Sequence, residues 1–307
     1  MKAIMYHYVQ SFDKDFKKFS YLDFRNFKKQ INFFKQKYKF FDCNELFEKN
    51  FQIKNRIFLT FDDGLSCHYK YVFDILKKEK INAIFYIPTL PFQKKKILSV
   101  HKIHLILGKI GEVKSSKILN TILKKNQNFI DNNLIEKFKN KIYKDHGRNY
   151  NSQIFKSYLN YFIKPKFRRV VINKIFVDTF GNNEEKICKK FYLTEKNLKK
   201  MAANNMIIGS HSQNHNLMSE LKFTEFKNEI DTSFKYVNLF FKRKTFSYPY
   251  GGFHSFNKKI ENYLDLKSVS FSVNVESKDI NYNHISKRRQ ALPRFDCNEF
   301  KYGKISR

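Results

Sequence analysis

The sequence predicts an α/β protein on a parallel sheet, interrupted by a long helical insertion. Short apolar runs rich in Ile, Val and Phe alternate with stretches whose apolar residues recur every three or four positions, the order of βαβ units. That alternation stops near Phe92 and resumes near Tyr192. Each cluster of chemically capable residues directly follows an apolar run, and in barrels and open α/β sheets the carboxyl ends of strands are where sites form.

The first strand is expected over Ala3 to Val9. From Tyr21 to Tyr38, Leu22, Phe24, Phe27, Ile31, Phe33 and Phe34 have helical spacing. Arg56 to Phe61 is a compact β-type run ending in Asp62-Asp63-Gly64. A helix is expected from about Tyr69 to Lys80, then a strand from Ala83 to Ile87 that Pro88 stops. Thr194 suits the N-cap of a helix through Met201. Met206 to Ser210 reads as a strand, Thr224 as the opening of a helix to about Phe241, Thr245 to Tyr248 as a strand broken at Pro249, and Val269 to Val275 as the last strand.

Residues 92–192 read as helices of uneven quality, rich in Lys and Asn and punctuated by Gly108, Gly111 and Gly147. Because the same alternation runs on both sides, the expectation is one domain over residues 1–307 with 92–192 as a helical insertion.

A chain of 307 residues with 42% hydrophobic content can bury a sizeable core, and with 35 Phe and no Trp, Phe does much of the filling. The net charge of +32 raises nucleic acid, an anionic membrane surface or a phosphorylated substrate as partners. Joint enrichment in Lys, Asn, Ile, Phe and Tyr is also what a coding bias toward A and T produces. Nucleic acid is disfavoured, since charge alone supports it and no recognition module is present. The four cysteines form no C-x-x-C pair, so neither a zinc ribbon nor a redox motif is indicated. The opening MKAIMYHYVQ lacks the apolar stretch of an export signal, and no apolar run approaches the roughly 20 residues of a membrane span. The expectation is a cytoplasmic protein, able to touch the inner face of a membrane.

Three clusters can carry chemistry. In Thr60-Phe61-Asp62-Asp63-Gly64, adjacent carboxylates at a strand end diverge if the backbone stays extended, so one can bind a metal while the other stays free as a base. By itself such a tripeptide is usually a plain turn. In His211-Ser212-Gln213-Asn214-His215, imidazoles at i and i+4 can meet one ion if the segment is helical; alone, such a pair is more often inconsequential. Together they supply two imidazoles and a carboxylate, a catalytic zinc pattern with a position left for water, and a second carboxylate within reach as base. The third, Phe246 to Gly252, is a Pro- and Gly-bent loop whose backbone N–H groups can face an oxyanion.

In this order the three clusters resemble the polysaccharide deacetylase family, the NodB-homology carbohydrate esterases. Met5-Tyr6-His7-Tyr8-Val9 and Leu292-Pro293-Arg294-Phe295-Asp296 are similar to segments of its PgaB/IcaB-like branch. The resemblance covers about two thirds of the chain and skips the insertion. It implies a distorted (β/α) barrel of about seven strands, and metal-assisted hydrolysis of the N-acetyl group of an amino sugar in a glycan or glycan precursor. It also implies Asp63, His211 and His215 as ligands of a divalent metal, most simply Zn2+, Asp62 as base, and the Tyr250 N–H as an oxyanion donor. A deformylase of the same fold, and an inactive barrel that only binds glycan, are the alternatives; both Asp and both His are intact, which opposes the second.

Two departures matter. Many members carry Arg where Ser247 stands, and a late Leu-x-His where this chain reads Leu292-Pro293-Arg294. The expectations are that Arg294 pairs with Asp62 and keeps it ionised, and that His7 is the general acid. His68 is expected to be turned aside by the helix that follows Gly64, His101 and His104 to be structural or exposed, and His254 is a candidate for the pocket wall.

Overall fold

The computed structural model describes residues 1–48, 51–142 and 150–306; Gly147 lies outside the described residues. The chain packs as two compact units, one of Met1–Ser11, Tyr21–Lys96 and Cys188–Ser306, the other of Phe12–Ser20 and Ile97–Ile187.

The strands are β1 (Lys2–Tyr6), β2 (Val9–Gln10), β3 (Leu22–Asp23), β4 (Lys39–Phe40), β5 (Arg56–Phe61), β6 (Ile84–Ile87), β7 (Ile207–Ser210), β8 (Thr245–Ser247), β9 (Phe271–Val273) and β10 (Phe295–Asp296), all in the first unit. An eight-stranded parallel sheet runs β10-β1-β5-β6-β7-β8-β9, with β4 added beside β5. The segment before β10 links its two ends. Leu292 donates its N–H to the Ser272 carbonyl at 2.8 Å and accepts from Asn274 at 2.9 Å, while Phe295 and Asp296 pair with Ile4 and Met5 of β1. The result is a distorted (β/α) barrel with helices around it.

Both faces of these strands are covered, so they read as continuous apolar runs. Alternation sorts the side chains. Ile57, Leu59 and Phe61 pack outward with Phe27, Ile31 and Phe34 of helix Phe24–Lys37. Phe58 joins Ala3, Ile84, Tyr86, Ile207, Phe271, Val273 and Leu292 in the cluster that fills the ring. On the outer face Tyr6, Phe61 and Phe85 stack across three paired strands, with centroids 5.0 and 4.8 Å apart. Each such contact adds about 0.5–1.5 kcal/mol beyond area burial, so Phe does the work assigned to it, next to Asp62.

Several boundaries shift for local reasons. The first helix begins at Phe24 because Asp23 caps it and Leu22 pairs with Val9. His68–Phe73 is a π-helical turn continuing into Asp74–Lys78. Thr194 and Asn197 form a reciprocal cap on helix Glu195–Ala202. The next helix starts at Phe223 rather than Thr224 and ends at Val237.

In the second unit, helices Ser99–Ile110, Glu112–Lys125 and Pro165–Phe180 bury Ile103, Ile106, Leu119, Ile172 and Phe176. Gly108 lets the Phe19 ring approach, since a Cβ there would meet it at 2.7 Å. Among the described residues no helix is long and apolar enough to cross a membrane.

Candidate metal and catalytic centre

Asp62 and Asp63 follow β5. Asp62 continues the inward alternation after Phe58 and Thr60, but Asp63 leaves it with a left-handed φ of 79°. The two carboxylates therefore diverge through a turn, not through the extended backbone the sequence suggested. Gly64, also left-handed at 61°, carries the chain on.

His211 follows β7, but the segment to His215 is an irregular loop, so the helical premise for this pair fails. Left-handed Ser212 (62°) and His215 (56°) bring the rings together instead. Both Nε2 atoms lie 3.6 Å from Asp63 Oδ1. That exceeds a hydrogen bond. It matches ligands about 2.0–2.2 Å from one ion, which tetrahedral angles place roughly 3.3–3.6 Å apart. One ligand atom from each of the three buried residues lies within 4.8 Å of the others. His211 Nδ1 is 2.7 Å from the Ser247 carbonyl, which only accepts; Nδ1 thus carries the proton and Nε2 offers its lone pair inward. Burial pushes the His211 pKa down, which favours the neutral ring a metal requires. The donor set fits a divalent ion.

Asp62 serves differently. Arg294 Nη1 and Nη2 reach its Oδ1 and Oδ2 at 2.9 and 2.8 Å. The other Arg294 donors go to the Thr60 hydroxyl (3.0 Å), the Ser247 hydroxyl (3.0 Å) and the Asn274 carbonyl (2.9 Å). Ser247 donates to Asp62 Oδ2 at 3.1 Å. Burial pushes the Asp62 carboxyl up, but the Arg294 charge, helped by His211 and the hydrogen bonds, outweighs it and holds it at about 2.

The profile described as polysaccharide deacetylase matches residues 49–98 and 171–269. Over those two stretches, just under half of its length, the chain carries a polysaccharide deacetylase domain. No curated protein matches it by sequence. Solved structures share the fold. The Streptococcus pyogenes deacetylase PplD, in complex with acetate, superposes with a TM-score of 0.59 at 13% identity over 96% of this chain and 91% of that one. IcaB from Ammonifex degensii gives 0.53 at 14% over 96% and 90%. A polysaccharide deacetylase from Bacillus cereus gives 0.56 at 12%, over 96% of this chain and 64% of that one.

Against the family pattern, the position of the usual Arg holds Ser247, yet a guanidinium still reaches Asp62, from Arg294. His7 follows β1 in the inward alternation, with Nε2 4.0 Å from Asp63 Oδ2 and the ring 37% exposed. His68 is fully buried and donates Nε2–H to the His7 carbonyl at 2.7 Å, and burial pushes its pKa down to about 4. Tyr250 sits at a left-handed φ of 63° with its ring 5.1 Å from that of His215. Left-handed Gly251 beside it could not carry a Cβ without meeting the Val275 side chain at 2.7 Å. His254 stands against Gly252, and its carbonyl accepts from Ser219.

Four non-glycine residues with positive φ, Asp63, Ser212, His215 and Tyr250, thus gather at one site. Each costs about 1–3 kcal/mol and persists where surrounding contacts over-determine it. Residue-by-residue reasoning missed Thr60, Ser247 and Asn274 as holders of Arg294; inward alternation on β5 and β8 was the available signal for Thr60 and Ser247, whereas Asn274 offers only its backbone carbonyl, which no side-chain pattern marks.

Proposed function

We propose that this chain is a metal-dependent hydrolase that removes the N-acetyl group from an amino sugar in a glycan or a phosphorylated or lipid-linked glycan precursor. The observation that carries this is the Asp63–His211–His215 cluster beside the Arg294-bound Asp62, at the carboxyl ends of the strands. A bound divalent ion, most simply Zn2+, would polarise the amide carbonyl and lower the pKa of the attacking water.

The remaining roles fall to the chain. A carboxylate has about four lone-pair sites; Arg294 and Ser247 occupy three on Asp62, leaving one on Oδ1 to orient water and receive its proton. The Tyr250 backbone N–H is the donor assigned to the oxyanion. His7, partly exposed and near Asp63, is the group assigned to protonate the leaving amine. The acyl group is read as acetyl, by analogy with a deacetylase of this fold solved with acetate; the net charge of +32 favours a substrate that carries phosphate.

The test is metal analysis of the purified protein together with acetate release from N-acetylglucosamine oligomers and from phosphate-bearing N-acetyl sugars. About one divalent ion per chain is expected. Asp62→Asn should keep the ion and lose acetate release. A metal-free wild type with undiminished activity refutes the mechanism, and release of formate in place of acetate reassigns the acyl group.

A further inference from the structure

Glu229 lies on helix Phe223–Val237, whose Phe226, Ile230 and Phe234 are buried apolar contacts, and Glu229 itself is only 3% exposed. A buried carboxylate is costly unless its oxygens are hydrogen-bonded. Its four partners all come from one stretch. Oε2 accepts from the backbone N–H groups of Gln213 (3.0 Å) and Asn214 (2.8 Å). Oε1 accepts from the side-chain amides of Asn214 (2.5 Å) and Asn216 (2.9 Å). All four donors are neutral, so every lone pair of the carboxylate is committed to the loop that carries His211 and His215.

That loop leans on outside partners: the Thr89 and Leu90 N–H groups donate to the carbonyls of Ser212 (3.2 Å) and Gln213 (2.9 Å), and Glu229 takes the side of residues 213–216. The loop has two left-handed non-glycine residues, and its internal ties are short: Ser212 N–H to the Ser210 hydroxyl at 3.3 Å, and His215 N–H to the Ser212 hydroxyl at 3.0 Å. A second anchor on the same helix, the Ser233 hydroxyl, meets Ser210 at 2.7 Å. The helix thus grips the loop at both ends of its first imidazole. We propose that Glu229 is the positioning residue of the metal site: it holds residues 213–216 so that both imidazoles face Asp63 before the ion arrives, and thereby sets metal affinity without touching the metal. This rests on the metal-dependent reading above.

The test is the Zn2+ dissociation constant of the metal-stripped protein, by competition with a chromogenic chelator, at a temperature where circular dichroism shows each variant folded. Glu229→Gln replaces one acceptor oxygen with a donor facing donors. It should weaken Zn2+ binding roughly 10–100-fold, the range for partners that orient metal ligands. Asp231→Asn, on the same helix, weakens only bonds to Tyr263 and Lys267 and should leave the constant within about twofold. If Glu229→Gln does not fold, Asn216→Ala removes one of the four donors from an exposed position and should still weaken binding several-fold. Wild-type affinity in Glu229→Gln or Asn216→Ala, or an equal loss in Asp231→Asn, overturns the assignment while the metal reading stands. A wild type that binds no Zn2+ overturns both.

Discussion

Replacing Arg294 with Met removes a guanidinium whose five N–H donors all have partners, in a side chain 1% exposed. Asp62 stays behind at 2% exposure without its counter-charge. Breaking a buried pair from one side costs about 3–5 kcal/mol. The native depression of Asp62 from 3.8 to about 2 corresponds on its own to roughly 2 kcal/mol, and the remainder is the burial penalty left uncompensated. In the wild type the depressed pKa contributes stability that is complete above pH 3.8 and lost only as pH falls through about 2. In Arg294→Met, burial raises the pKa above its unfolded value, so the variant loses stability as pH rises through that raised pKa. The stability gap must therefore widen between pH 4 and pH 8. Urea unfolding of both proteins across that range measures it. A gap below about 1 kcal/mol at pH 7, or one that does not grow with pH, refutes the reasoning. Arg294→Lys keeps the charge but not the fork and should recover only part of the loss.

His7→Ala should reduce turnover by about 10²–10⁴ while metal content stays at the wild-type level, as measured by initial rates and elemental analysis; unchanged turnover removes His7 from the proton-donor role. His68, with its pKa pushed down to about 4, contributes stability that is complete above about 6.5 and lost as pH falls through about 4, roughly 3 kcal/mol in all. His68→Leu should flatten the decline in unfolding free energy between those pH values, and identical slopes in the two proteins would show that His68 is not its source.

The barrel was legible because strands buried on both faces leave unbroken apolar runs, and Arg56–Phe61 ends where the sequence places it. The three clusters were legible because each sits at such a run's end. The His loop was misread because local propensity favours a helix or a turn for His-Ser-Gln-Asn-His, whereas the loop is held from outside, by Glu229, by Ser233 and by the backbone N–H groups of Thr89 and Leu90. A polar pair at i, i+4 on the buried face of an amphipathic helix was the signal that could have found Glu229 and Ser233. β10 is two residues long and carries no periodicity. Arg294 was found by asking what replaces an absent cation, while its Thr60 and Asn274 contacts required the strands to be in register.

The segment that joins β9 to β1 also carries Arg294, and Asp62 lies 232 residues away in sequence. Completing the ring and neutralising the buried carboxylate are therefore a single event. A closed barrel without this segment in place would leave the Asp62 charge buried and unpaired, at a cost of about 3–5 kcal/mol. The ion pair thus ties closure of the barrel energetically to completion of the Asp62 site.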